Sequence, residues 1–319
     1  MPLERIAIIG GGAWGTALAQ AAAIAGRDVT LVARDADAVA EINARHTNSQ
    51  HLGAQSLAPS IRASTQYEGA DLVVLAVPAQ ASRDALATLG LGDVPVVLTA
   101  KGLERGSLKR QSEVLAEAAP RAVPYVLSGP SFAVDVAAAR PTAVTLAGDD
   151  PDATAAVAAA LAGPTFRLYS AGDRIGVELA GALKNVYALA AGAVDGANLG
   201  DSARAALIAR AFAELSRILP AFGGKAETLT GLAGLGDLTL SCTSPQSRNY
   251  QHGMALGQGL PQPTSLAEGV LTAPVAQMLA RRAGVDAPLI DAVNLLLTGN
   301  VTITTIVAGL MSRPLKRED

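Results

Sequence analysis

Gly10-Gly11-Gly12-Ala13-Trp14-Gly15 interrupts an apolar run and opens a helix, and no other segment restricts the fold as much. Before it, Ile6-Ala7-Ile8-Ile9 predicts a short buried strand. After it, Thr16 to Ile24 is built from good helix formers, with Leu18 and Ile24 expected on the inner side. Strand, G-x-G-x-x-G and helix together place a pyrophosphate on backbone N–H groups at a helix N-terminus. Gly10 permits the tight turn, Gly12 lets the backbone approach the phosphates, and Gly15 lets helix and sheet pack closely. Glycine-rich turns alone occur in many loops. Here a second strand, Asp28 to Ala33, follows a Gly26 helix stop, as a βαβ unit requires.

A chain of 319 residues suggests two domains. Half of it is apolar but only 3% is aromatic, so the core must come mainly from Ala, Leu, Val and Ile. A net charge of −3, with no Lys/Arg cluster interleaved with aromatics, argues against nucleic acid as a partner. The single cysteine, Cys242, excludes a disulfide framework and fits a reducing compartment. His46, His51 and His252 lack metal-ligand spacing. The N-terminus leads straight into the first strand, which predicts no signal peptide. The positive mean hydropathy comes from dispersed alanine, and no stretch is read as the ~20 apolar residues of a membrane span. The expectation is a soluble cytoplasmic protein without membrane partners.

Further strands are predicted at Asp71–Val77, closed by Pro78, then at Val94–Thr99, Ala122–Leu127, Ala143–Ala147 and Phe166–Tyr169. The polar stretch Asn43–Ser60 reads as a loop. Continuous apolar strands separated by helical stretches indicate an α/β, doubly wound, mostly parallel Rossmann-type domain. Ligands bind such sheets at the strands' carboxyl ends, here Pro78, Lys101-Gly102 and Ser128-Gly129-Pro130-Ser131-Phe132. From Asp173 the pattern is helical only. Asp173 can cap a helix to about Val194, Ala203–Leu219 is a second, and Thr272 can cap a third that Gly284 stops. Pro288 starts a fourth and Thr302–Met311 is a fifth. The predicted domains are 1–172, dinucleotide-binding, and 173–319, all-helical, with Lys316 to Asp319 frayed.

Hydride transfer needs a group that gives or takes the hydroxyl proton. There is no Tyr-x-x-x-Lys pair, zinc-ligand set or well-placed histidine, which leaves lysine. Twenty of the 25 basic residues are arginine, which keeps its proton at any relevant pH. Of the five lysines, Lys109, Lys225 and Lys316 lie in polar surroundings. Lys184 has Ala180, Gly181, Tyr187 and Ala188 as helical neighbours, so no carboxylate on its own helix can pair with it. Such a lysine either snorkels at an edge or faces a tight cleft. Lys101 follows the fourth strand, at a ligand edge or in solvent. Asp237, after Leu232-Ala233-Gly234-Leu235-Gly236, is a carboxylate seeking a cation or a helix cap. Ser247-Arg248-Asn249 is a good phosphate-oxygen cradle, although solvated loops contain such triplets too.

Taken together, these segments resemble the bacterial-type NAD(P)-dependent glycerol-3-phosphate dehydrogenases. The match runs through Gly10–Ala19, Ala100-Lys101-Gly102-Leu103-Glu104, Ser128–Ala133, Ala182-Leu183-Lys184-Asn185-Val186, Gly231–Leu238 and Ser247-Arg248-Asn249, in the family's order and spacing. The resemblance implies that Lys184 is the general acid/base, Asp237 its charged neighbour, and Lys101 a contact to both substrate and nicotinamide. It implies that Gly129 and Ser131 hold substrate while Ser247, Arg248 and Asn249 take its phosphate. Gly10, Gly12, Ala13, Trp14, Gly15, Arg34, Ala133, Leu266 and Glu268 would line the NADP or NAD site, with Arg248 and Lys101 shared.

The chain departs from the family pattern at Leu52-Gly53, where Leu-Pro is usual, and at Ala267, where valine is common. Ser241 stands in place of a frequent threonine and keeps the hydroxyl. The implied reaction interconverts sn-glycerol 3-phosphate and dihydroxyacetone phosphate, supplying phospholipid synthesis. A reductase of a small keto or hydroxy acid would need no phosphate cradle, and a nucleotide-sensing protein without turnover would need no buried lysine beside a carboxylate. A homodimer is the expected assembly, two-fold pairs being the commonest oligomers. Arg34 stands where NAD enzymes place an acidic residue, which favours a 2′-phosphate and hence NADPH.

Overall fold

The computed structural model describes residues 3–314; Lys316 to Asp319, expected to fray, lie outside them. The chain begins with β1 (Arg5–Ile9), α1 (Ala13–Ile24), β2 (Asp28–Val32), α2 (Ala36–Arg45), α3 (Ser49–Leu52), β3 (Arg62–Ser64) and β4 (Leu72–Leu75). Then come α4 (Ser82–Leu89), β5 (Pro95–Leu98), α5 (Gln111–Ala118), β6 (Val123–Ser128), α6 (Ala133–Ala137), β7 (Thr142–Ala147), α7 (Pro151–Leu161) and β8 (Phe166–Ala171). Helices alone follow: α8 (Arg174–Gly196), α9 (Asp201–Ala221), α10 (Asp237–Thr243), α11 (Arg248–Gln258), α12 (Glu268–Arg282), α13 (Pro288–Leu297) and α14 (Ile303–Met311).

The eight strands form one sheet in the order β3-β2-β1-β4-β5-β6-β7-β8. Every neighbouring pair is parallel except β6 and β7. Alternating side chains divide the sheet between two cores. Ile6, Ile8, Val29, Leu31, Leu72 and Val74 face α1 and α7. Ala7, Ile9, Val73, Leu75, Val96 and Leu98 face α4 and α5 through Leu86, Val114 and Leu115. Chain order reverses between β1 and β4, which opens a crevice at their carboxyl ends. The fold is therefore a Rossmann-type α/β sheet followed by a helical assembly with a third core around α8.

Several local expectations are corrected. Helix α1 starts at Ala13, so the last glycine-loop residues form its first turn; Leu18 is buried but Ile24 is 36% exposed. Its alanines, Ala17, Ala19 and Ala22, provide the buried surface instead. The stretch read as a loop contains α3, because buried Asn48 anchors it through Nδ2 to the Gly11 carbonyl and Thr16 Oγ1. Strand β3 escaped notice because Arg-Ala-Ser carries no apolar run; β2 recruits it through backbone pairing. Thr272 is not a cap but lies fully buried inside α12, which starts at Glu268 and accommodates Pro274 within it. Helix α8 does have the length and apolarity of a membrane span, yet 94% of that window is buried inside the protein.

Candidate active site

Asp173 accepts the Gly176 N–H and so caps α8. That helix is buried almost all round, and its small residues let the sheet edge come close. A Cβ at Gly181 would lie 2.5 Å from Ser128 Oγ at the end of β6 and 3.7 Å from Lys101 Cγ. Lys184, one turn further along, is 7% exposed. It therefore faces a cleft rather than snorkelling.

The cleft is closed by Asp237, the first residue of α10, which is 1% exposed and follows a π-helical turn over Leu232–Gly236. Lys184 Nζ donates to Asp237 Oδ1 at 2.7 Å and to Ser241 Oγ at 2.5 Å. Lys101 Nζ donates to Asp237 Oδ2 at 2.6 Å and to the Gly129 carbonyl at 2.9 Å. Each ammonium thus spends two of its three protons on the protein and keeps one. Burial pushes the Lys101 ammonium down to about 8; Asp237 opposes the shift, and Lys184 reinforces it. Burial alone would raise the Asp237 carboxyl, but Lys101 and Lys184 outweigh it and hold the group below its ordinary value. Two cations on one carboxylate leave a net positive site.

Ser131 Oγ donates to the Gly129 carbonyl at 3.0 Å. Gly129 has φ +145°, and a Cβ there would meet Val144 Cα at 2.9 Å, so only glycine fits this turn beneath Lys101. Ser247 caps α11 by accepting the Tyr250 N–H. Arg248 is exposed in the first turn of α11, while Asn249 is buried. Ser247-Arg248-Asn249 is accordingly a helix N-terminus with an arginine on it, which suits a phosphate better than a loop would.

The glycine loop lies where the strand order reverses, against the end of β4. Gly10 has φ +119°, and a Cβ there would lie 2.6 Å from the Ala76 carbonyl oxygen. The space beside Gly12 is open to 4 Å, and no side chain caps α1. The first-turn N–H groups at Ala13 and Trp14 consequently have no partner on their own helix. Ala133 begins α6 close by in sequence to Ser131, and Leu266 is 38% exposed just before α12. Glu268 Oε1 accepts the Ala79 N–H at 3.1 Å, while its buried Oε2 has no partner. Burial raises the Glu268 carboxyl, against the pull of the Ala79 N–H and Arg248. Gly102 makes room for it: a Cβ there would lie 2.7 Å from Oε2. Arg34 is exposed just past β2, while the Asp35 carboxylate is committed to capping α2 through the Asp37 and Ala38 N–H groups.

Sequence reading gave no role to Asn185 or Asn48, or to the Ser241 hydroxyl as a Lys184 partner. The one available signal was adjacency, Asn185 following Lys184 directly. Among the described residues no group of three or more His, Cys, Asp or Glu side chains is placed to hold a metal ion.

Family models for the NAD-dependent glycerol-3-phosphate dehydrogenase N-terminus and C-terminus match residues 5–154 and 173–308. The chain belongs to the NAD-dependent glycerol-3-phosphate dehydrogenase family. A glycerol-3-phosphate dehydrogenase (NAD(P)+) of Brucella canis is 51% identical over 323 residues, 99% of each chain. One from Caulobacter vibrioides is 50% identical over 330 residues, the whole of both chains. The crystal structure of the Coxiella burnetii glycerol-3-phosphate dehydrogenase superposes with TM-score 0.91 at 36% identity, covering 97% of this chain and 99% of that one. As a glycerol-3-phosphate dehydrogenase family member, the chain is an oxidoreductase that uses NAD or NADP.

Proposed function

We propose that the cleft interconverts sn-glycerol 3-phosphate and dihydroxyacetone phosphate, with Lys184 as the proton donor and acceptor. The observation that carries this reading is the Lys184–Asp237–Lys101 arrangement at the carboxyl edge of the sheet. The dihydronicotinamide, when bound, supplies the hydride that C2 receives. Lys184 gives its free proton to the carbonyl oxygen as C2 is reduced, and takes it back in the oxidative direction. Lys101 keeps Asp237 paired when Lys184 gives up its proton, so no carboxylate is left buried and uncompensated. Arg248, with the N-terminus of α11, takes the phosphate. Gly129 and Ser131 hold the triose, and Ser247 and Asn249 complete the phosphate end. The cofactor side is Gly10, Gly12, Ala13, Trp14, Gly15, Arg34, Lys101, Ala133, Arg248, Leu266 and Glu268.

The same reading divides the chain near residue 172 into nucleotide and substrate halves, makes the enzyme a cytoplasmic homodimer and assigns its product to phospholipid synthesis. The deciding experiment follows NADPH absorbance with dihydroxyacetone phosphate against a panel of small keto acids. Turnover confined to the triose phosphate is expected. Faster turnover of any keto acid would replace this reading with a keto-acid reductase.

A further inference from the structure

The first turn of α13 is held by a side chain from another helix. Its N-cap residue, Ala287, has no capping side chain, and Pro288 brings no N–H. The next two donors are the N–H groups of Leu289 and Ile290. Both go to Glu214 on α9, at 3.0 Å to Oε2 and 3.1 Å to Oε1. Tyr187 on α8, one turn past Lys184, completes the set with its hydroxyl 3.2 Å from Oε1. One carboxyl thus joins three helices, across 27 and 75 residues of sequence. It does so where Leu289, Ile290 and Val293 of α13 enter the core around α8. Helix α14, which follows, has no buried residue of its own.

Glu214 and Asp237 are both 1% exposed, yet their surroundings differ. Asp237 carries two ammonium groups and stays ionised. Glu214 has two N–H groups and a phenol. Arg217, one turn further along α9, acts on it only at a distance and donates to the Ala213 and Asp286 carbonyls instead. Burial without a contacting cation disfavours the charged carboxylate. The two N–H groups and the positive end of α13 pull the other way. Burial prevails and pushes the Glu214 carboxyl up to about 7. An N–H can only donate, so the neutral acid has one place for its hydrogen, Tyr187 Oη.

The other ionisable groups around this point come from several elements. Burial pushes the Tyr187 phenol well above its ordinary value and the Cys242 thiol of α10 to about 12, so both keep their protons. Asp291, in the first turn of α13, is bonded to Gln277 and Arg281 of α12, and Asp286, just before α13, to Arg313.

We propose that Glu214 is a proton-bearing latch against the helix that carries Lys184: neutral while the start of α13 is seated, ionised once it lifts. Lifting that turn admits water to the carboxyl, which then returns to its ordinary value of 4.5. The seated state therefore binds a proton that the lifted state releases. Its stabilisation is complete below pH 4.5 and is lost as pH rises through about 7. Acid closes the latch, and neutral conditions loosen it.

The test is amide hydrogen exchange in the full-length protein between pH 5 and 8, corrected for the intrinsic pH dependence of exchange. Protection of the Leu289 and Ile290 amides should fall about tenfold per pH unit and level off above about 7, the slope of one released proton. Ala276, buried in α12, is the reference and should stay level. Glu214→Gln cannot ionise, so its Leu289 and Ile290 protection should not change with pH. A level wild-type profile would mean that the seated carboxyl is already ionised, and would overturn the latch. An equal slope at Ala276 would place proton release in general unfolding and would overturn it too. A slope that persists in Glu214→Gln would assign the proton to another group. Should that variant not fold, the wild-type contrast between Ile290 and Ala276 decides alone. The readout needs no turnover, so it stands whatever the cleft reduces.

Discussion

Asp237 carries two ammonium groups on one carboxylate, and the sharing decides what each can do. With Lys184 as the proposed proton donor and acceptor, Lys184→Ala should lower kcat about 10²–10⁴-fold. NADPH binding measured by fluorescence should be nearly intact. Lys184→Arg should not restore turnover, because arginine keeps its proton; rescue by arginine would make charge, not proton transfer, the role of this residue. Lys101 predicts a pH dependence. Its ammonium, brought down to about 8 chiefly by burial, is charged below that pH and neutral above it. KM for dihydroxyacetone phosphate should therefore rise as pH passes upward through about 8. Lys101→Arg stays charged, and its KM should show no such inflection.

At the scale of elements, α8 and α11 touch along glycine. Gly192 and Gly196 on one helix and Gly253 and Gly257 on the other are spaced four apart. A Cβ on any of them would strike backbone of the opposing helix, as Gly253 would strike the Leu189 carbonyl. Backbone cannot rotate out of the way as a side chain can. Gly253→Ala should cost about 3 kcal/mol in denaturant unfolding. Because Arg248 begins the same helix, KM for dihydroxyacetone phosphate should rise in parallel; a normal KM would mean that α11 does not carry the phosphate site. The turn after β2 supports a separate expectation. Asp35 is used as a helix cap, which leaves Arg34 to meet a 2′-phosphate. Arg34→Ala should cost NADPH about 1–3 kcal/mol more than NADH in kcat/KM. Equal losses would remove the assignment.

The same elements show what could be read from sequence and why the rest could not. Leu72–Leu75 is 0–1% exposed on both faces, so an unbroken apolar run announced β4. Strand β3 has no such run and exists because β2 offers it a free edge. Helix α12 begins five residues before the start that a Thr272 cap predicts, because its N-cap is Ala267, which offers no side-chain capping signal. Lys184 and Lys101 stood out because lysine is scarce in an arginine-rich chain. The Lys184–Asp237 pair was implied by family resemblance and not by spacing, whereas the Lys101–Asp237 contact, across 136 residues, was not anticipated. The partners of Asn185 lie 64 and 84 residues away, so only its place directly after Lys184 hinted at a role.

Taken whole, the molecule is a sheet sandwiched by helices and a third core wrapped around α8, the helix that also bears Lys184. The order in which a ribosome delivers these parts has a consequence for folding. Helix α8 is complete at Gly196, but α11 and α12, which cover it, end only at Gln258 and Arg282. Over that interval a long helix that ends almost wholly buried leaves the ribosome with its lining still unsynthesised. Such a segment is an aggregation hazard and a natural client for a chaperone. A chain halted at Gly223 should therefore sediment when made in a chaperone-free translation extract and stay soluble when a holdase is added, whereas the full chain should need no such help. A soluble, monomeric halted product would mean that α9 alone shelters α8.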